Sequence, residues 1–172
     1  MIRNIIKYAL QFVLLILVQV LVLNNIQFTG YINPYLYILF ILWLPIEIPN
    51  WALMTLACLV GLFVDLFTDT LGMHTSASIF LAYCRPGILR FLAPRDGYEV
   101  NQIPNVQQLG FSWFISYVVL ATVAHHFFLF FVEVFRFSDA LSTIGRSLAS
   151  SVFTVLLILM TQIFFFNKEA RK

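Results

Sequence analysis

Apolar residues in this chain fall into long runs broken by short polar or proline-rich interruptions, a pattern that predicts helices crossing a bilayer. The first run extends from Ile5 to Leu23, behind Arg3 and Lys7, with Gln11 and Gln19 as its uncharged polar interruptions. The second begins at Pro34, tolerated in a first helical turn, and ends where Pro45 and Pro49 bracket Ile46-Glu47-Ile48, so it is short. The third covers Trp51 to about Phe67. A fourth covers Met73 to about Cys84, where Arg85-Pro86-Gly87 is expected to stop or kink the helix and leave residues 88–92 to the interface. Runs from about Leu109 to Val132 and from Leu141 to Phe166 complete a set of about six spans in one transmembrane domain covering residues 1–172.

Composition agrees with that pattern. Of the 172 residues, 61% are hydrophobic and 10% charged, a balance that one water-soluble core of this size cannot hide. The period-2 alternation of a barrel strand is not evident, leaving helices as the spanning element and an all-α integral membrane protein as the fold class. The net charge of +2 is too small for a nucleic-acid partner, and the basic residues sit at segment ends. With both termini on the cytoplasmic side, eight of the ten basic residues face the cytoplasm and only Arg136 and Arg146 do not, which favours an even number of spans. Tyr31, Tyr35, Trp43, Trp51 and Trp113 read as interfacial anchors. No signal-peptide cleavage site follows the first run, so it is expected to remain as an anchor. Cys58 and Cys84 form no CxxC or disulfide framework and read as packing thiols.

The chemistry-bearing residues gather at one end of this layout. Asp65, Asp69 and His74 join spans three and four, His125, His126 and Glu133 occupy the end of span five, and Asp139 and Arg146 flank the start of span six. Carboxylates near a bilayer core are costly, which makes Asp65 and Asp69 functional candidates, with Arg146 as the candidate counter-charge. Asp65 and Asp69 share a face if the helix continues through both, as His126 and Glu133 nearly do. One structural reading, snorkelling or salt-bridged helix ends, stands beside three functional ones: a binding surface for another membrane protein, a small-molecule pocket and a catalytic site. No metal or cofactor is expected, since the adjacent histidines point about 100° apart on a helix, and no G-x-S-x-G elbow or P-loop is present. Thr75, Ser76, Ala77, Ser78 and Ala82, with Ser147, Ser150, Ser151 and Thr154, read as close-packing faces. Phe127-Phe128 and Phe164 to Phe166 read as lipid-facing bulk. The polar stretch from Ala93 to Gln108 reads as a solvated connector or a dock for a cytoplasmic partner.

The stretch from Trp51 to Cys84 resembles the rod shape-determining protein MreD family. The likeness rests on Gly61-Leu-Phe-Val-Asp65-Leu-Phe, followed by Thr70-Leu-Gly72-Met-His74-Thr75-Ser-Ala77, and extends to the chain length and the short second span with prolines. The resemblance implies a compact bundle of about six helices, similar to the substrate-binding subunits of energy-coupling-factor transporters. It also implies a non-enzymatic component of the bacterial cell-elongation complex in the inner membrane, with an MreC-like single-span partner and, through it, MreB, RodA and a class B penicillin-binding protein. The main alternative is a substrate-binding membrane subunit of a small-molecule transporter. On either reading the site is Asp65, Asp69, His74, His126, Glu133 and Arg146, with no catalytic residue assigned.

Overall fold

A computed structural model describes residues 2–25, 32–100, 102–135 and 140–166, with side chains described for 5–25, 32–100, 102–135 and 140–162. The described residues form helices and turns without a strand: α1 (Ile2–Leu21), α2 (Ile38–Trp43), α3 (Asn50–Thr68), α4 (Met73–Phe91), α5 (Val106–Leu109), α6 (Phe111–Val134) and α7 (Ala140–Phe166). Four segments, Ile5–Asn25, Asn50–Thr68, Phe111–Val134 and Ala140–Gln162, are long and apolar enough to cross a membrane. The chain is an all-α membrane protein. Its outer faces carry Leu10, Leu14, Leu17 and Leu21 of α1 and Leu62, Leu66 and Phe67 of α3, bulk that suits a lipid environment.

Helix α4 packs between α3 and α6, α7 packs on α6, and α1 leans on α3. Each inner face shows the 3.6-residue period. On α3 it is Leu53, Ala57, Val60, Gly61, Val64 and Asp65, and on α4 it is His74, Ala77, Ser78, Leu81, Ala82, Arg85 and Leu89. The α7 face holds Thr143, Ser147, Ser150, Ser151, Thr154 and Ile158, so hydroxyls line much of that helix's buried side.

Two of the expected spans differ in kind from the other four. The second is not a helix from Pro34: only Ile38–Trp43 is helical, and the whole stretch Pro34 to Leu44 is buried at the centre of the molecule. Irregular backbone survives at such depth only when neighbouring side chains satisfy it. Here Gln19 of α1 does so at the start, its Oε1 accepting from the N–H groups of Leu36 (2.7 Å) and Tyr37 (3.3 Å) while its Nε2 donates to the Pro34 carbonyl (3.1 Å). From α7, Ser150 accepts from Asn33 N–H (3.1 Å) and Thr154 from Tyr35 N–H (3.0 Å).

The other end of α2 is closed by Arg85. Its guanidinium donates to the Leu44 carbonyl and to the Pro45 carbonyl (3.4 Å), and its Nε donates to the Tyr117 hydroxyl (2.8 Å), which donates in turn to the Leu42 carbonyl (3.3 Å). A cation at a helix C-terminus complements the partial negative charge of the terminal carbonyls. Arg85 is 1% exposed, so it is an internal strut and not the span-end charge that the sequence pattern implied.

The fourth span does not stop at Arg85-Pro86-Gly87 either. α4 runs through Pro86 to Phe91, 19 residues in all, and its polar content keeps it out of the set of strongly apolar helices. The Ala93 to Gln108 stretch is more than a solvated connector: Gln102, Pro104 and Asn105 are buried, Ile46 N–H donates to the Gln102 carbonyl (3.0 Å), and Tyr98 and Trp113 bond the last carbonyls of the α4 end at Leu89 (2.6 Å) and Leu92 (2.7 Å). Phe128 is half-buried, its ring stacked on Phe80 at 4.4 Å. Tyr31, Arg136, Asp139, Lys168, Arg171 and Lys172 lie outside the described residues, as do the side chains of Arg3 and Phe164 to Phe166.

Candidate functional site

The α3–α4 corner is built by Gly61, Asp65 and Gly72. At Gly61 an added Cβ would sit 2.4 Å from the Thr75 Cα and 2.7 Å from the His74 carbonyl oxygen, so only glycine lets the two backbones approach this closely. That approach brings the Asp65 carboxylate, 4% exposed, onto the first turn of α4. It accepts from His74 N–H (3.0 Å), Thr75 N–H (2.8 Å), the Thr75 hydroxyl (2.5 Å) and the Thr70 hydroxyl. Gly72, which precedes α4 with φ +84°, has no side chain to cap it, and Asp65 supplies that cap from the neighbouring helix. The counter-charge of Asp65 is therefore the positive end of α4 and not Arg146.

Asp69 takes no part in this cap. α3 ends at Thr68, and Asp69 adopts the left-handed conformation (φ 53°) that closes the helix and leaves its side chain exposed. The two aspartates share no face, because the helix stops between them. Arg146 instead pairs with Glu133 (3.0 Å) and lies over the Phe130 ring at 4.5 Å. Its other guanidinium nitrogen reaches the Asn33 amide oxygen (2.9 Å) when that amide is oriented to satisfy both of its groups.

His74 and His125 meet behind this corner on Tyr37, a residue that the sequence pattern did not single out, and His126 lies beside His125. The Tyr37 hydroxyl lies 3.1 Å from His74 Nδ1 and 2.8 Å from His125 Nε2. The Nδ1 atoms of His125 and His126 are 3.5 Å apart, and His126 continues to the Thr122 carbonyl (Nδ1, 2.9 Å) and the Thr154 hydroxyl (Nε2, 3.0 Å). The Tyr35 ring packs against His74 and His126, with centroids 5.1 and 5.4 Å away. No group of histidines, cysteines and carboxylates able to hold a metal ion occurs among the described residues.

A cavity of about 500 Å³ opens beside these groups, lined on the polar side by Asn24, Asn33, Tyr35, Thr68, Thr70, His74 and Glu133 and on the apolar side by Leu23, Pro34, Met73 and Leu129. Of the six candidate residues, the structure thus puts His74 and Glu133 on one cavity wall, Asp65 and Arg146 behind it as supports, His126 deeper in the histidine chain, and Asp69 on the surface. Comparison with known proteins finds no matching family model, no matching characterised protein and no matching solved structure.

The close approach at Gly61 carries a direct expectation. Gly61→Ala should cost roughly 1–3 kcal/mol, since the new methyl meets backbone that cannot rotate away. Its apparent melting temperature in detergent should fall, whereas Gly87→Ala, where nothing lies within 4 Å of the added Cβ, should leave it nearly unchanged. Equal shifts for both would show that the α3–α4 contact is not a tight one.

Proposed function

We propose that this chain is a member of the MreD family, acting as a non-enzymatic inner-membrane component of the bacterial cell-elongation complex. It binds an MreC-like single-span protein and, through it, MreB, RodA and a class B penicillin-binding protein. Its six passes are α1, the buried Pro34–Leu44 stretch, α3, α4, α6 and α7, with both termini cytoplasmic and the Asp65 corner on the outer side. The observation that carries the reading is that Gly61, Asp65, Gly72, His74 and Thr75, the residues behind the likeness, build one joint: a glycine contact, a carboxylate cap and the helix start that receives it. A motif with a single physical job is better grounds for a family reading than a shared run of apolar residues.

Copurification from native membranes in mild detergent is the test. An MreC-like single-span protein should be recovered with the tagged chain, and depletion of the chain should round the cells. Recovery of no wall-synthesis component, with rod shape kept after depletion, would reject the proposal. The cavity of about 500 Å³ favours a second reading, a substrate-binding membrane subunit of a transporter. On that reading native mass spectrometry finds a retained small molecule and the copurified partners are transport subunits.

A further inference from the structure

The histidine chain has a direction, and the direction points into the cavity. None of the three rings hydrogen-bonds a carboxylate among the described residues, and an unpaired imidazolium buried at this depth is costly, so the rings are neutral, each with one N–H and one lone pair. The fixed point is the Thr122 carbonyl, which can only accept, so His126 donates from Nδ1 and receives the Thr154 hydroxyl proton at Nε2. With a proton on His126 Nδ1, the facing Nδ1 of His125 carries the lone pair, and the His125 proton sits on Nε2, donating to the Tyr37 oxygen. Tyr37 has one proton left to give and donates it to His74 Nδ1. The His74 proton is thereby on Nε2, an atom with no acceptor among the described residues, on a side chain 6% exposed that lines the cavity.

We propose that this cavity is a binding site for a neutral, hydroxyl-rich molecule of about monosaccharide size, whose oxygen accepts from His74 Nε2–H. The volume, about 500 Å³, lies within the ~300–1,000 Å³ typical of small-molecule sites and has room for a sugar ring. Neutrality follows from Glu133 on the wall: its only ion-pair partner among the described residues, Arg146, is already committed to it, and Asp65 stands close behind, so an anion would meet net negative charge. The need for hydroxyls follows from a lining with donors and acceptors both unspent. The donor is His74 Nε2–H, and Glu133, which uses Oε1 for Arg146, offers its second carboxylate oxygen as the acceptor. A hydroxyl both donates and accepts, which a carbonyl or an ammonium cannot do. The Tyr35 ring and Met73 offer apolar surface to the carbon face of such a ring. A free solute and a lipid headgroup share this chemistry. The inference is independent of the elongation reading, since partner recovery and ligand binding are separate measurements.

The test uses the full chain in phosphatidylcholine nanodiscs with ring-¹⁵N histidine, read by ¹⁵N–¹H spectra that distinguish the two tautomers. His74 should show the Nε2–H form, and its signal should move saturably with methyl glucoside or in discs containing glucosyl diacylglycerol, but not with glycerol 3-phosphate. A response to methyl glucoside identifies a free-solute site, and a response to the glycolipid alone identifies a headgroup site. Met73→Trp, which fills the cavity and alters no hydrogen-bonding group of the Tyr37–histidine chain, should abolish the response. Tyr37→Phe should leave His74 in a mixture of tautomers and weaken binding roughly tenfold, the worth of one hydrogen bond. Should Tyr37→Phe fail to fold, the wild-type tautomer and Met73→Trp still decide. An Nδ1–H form at His74, no response to either glucoside, an equal response to glycerol 3-phosphate, or a response that survives Met73→Trp would each overturn the proposal.

Discussion

Replacing Arg85 with Met should lower the stability of the fold by about 3–5 kcal/mol, the sum of several buried acceptors left without a donor. Met keeps most of the volume of the aliphatic stem, so the loss is that of the guanidinium. Without it the carbonyls of Leu44 and Pro45 lose their donor, and the Tyr117 hydroxyl loses the donor that holds it toward the Leu42 carbonyl. Each buried acceptor left unsatisfied costs about 1–3 kcal/mol. Arg85→Lys should recover only a part, because one ammonium cannot span two successive carbonyls and the Tyr117 oxygen. Unfolding in detergent followed by tryptophan fluorescence measures the global effect, and amide exchange at Ile38–Trp43 measures the local one. Unchanged protection of those amides in Arg85→Met would refute the capping role.

Asp65→Ala is expected to cost about 2–4 kcal/mol, more than the loss of an ordinary surface cap, because the carboxylate serves two backbone N–H groups and two hydroxyls from a nearly buried position. Asp65→Asn separates charge from shape. Its oxygen can accept on the side of Thr70 and His74, but its NH₂ then faces the Thr75 N–H and hydroxyl, donor against donor, so at least half of the destabilisation should remain. The readout is the unfolding midpoint of the three proteins in one detergent, alongside recovery of the proposed MreC-like partner. Normal stability of Asp65→Ala with partner recovery lost would move Asp65 from an internal cap to a contact surface.

Much of this was legible in the sequence, and the remainder was hidden for physical reasons. Runs of apolar residues located α1, α3, α6 and α7 because a helix that faces lipid needs little besides length and greasiness. The same signal failed for Pro34–Leu44, where apolar residues fill the protein centre and the backbone is held by Gln19, Ser150, Thr154 and Arg85 from elsewhere in the chain. Long-range partners leave no local period. Pro86 promised a break that did not come, since the segment around it is held by packing and by Arg85. At the candidate site, Asp65 and His74 stood out because charge and imidazole are rare in such runs. Tyr37 did not, since one tyrosine among seven carries no mark until two histidines are seen bonded to it. Gln19 was visible as a polar interruption, and its position in an otherwise apolar helix was the available clue to a buried backbone partner.

The Pro34–Leu44 stretch also says something about how the protein comes into being. Its helical part, six residues, is about 9 Å long, against a hydrocarbon thickness of about 30 Å. Such a stretch cannot hold its place in lipid by itself, since its free N–H and C=O groups would face hydrocarbon. Gln19 precedes it in the chain, but the other groups that satisfy it are made later by the ribosome: Arg85, then Tyr117, and last Ser150 and Thr154. Stable burial of residues 34–44 therefore waits until α7 has been synthesised, and this early stretch of the chain is the last to settle.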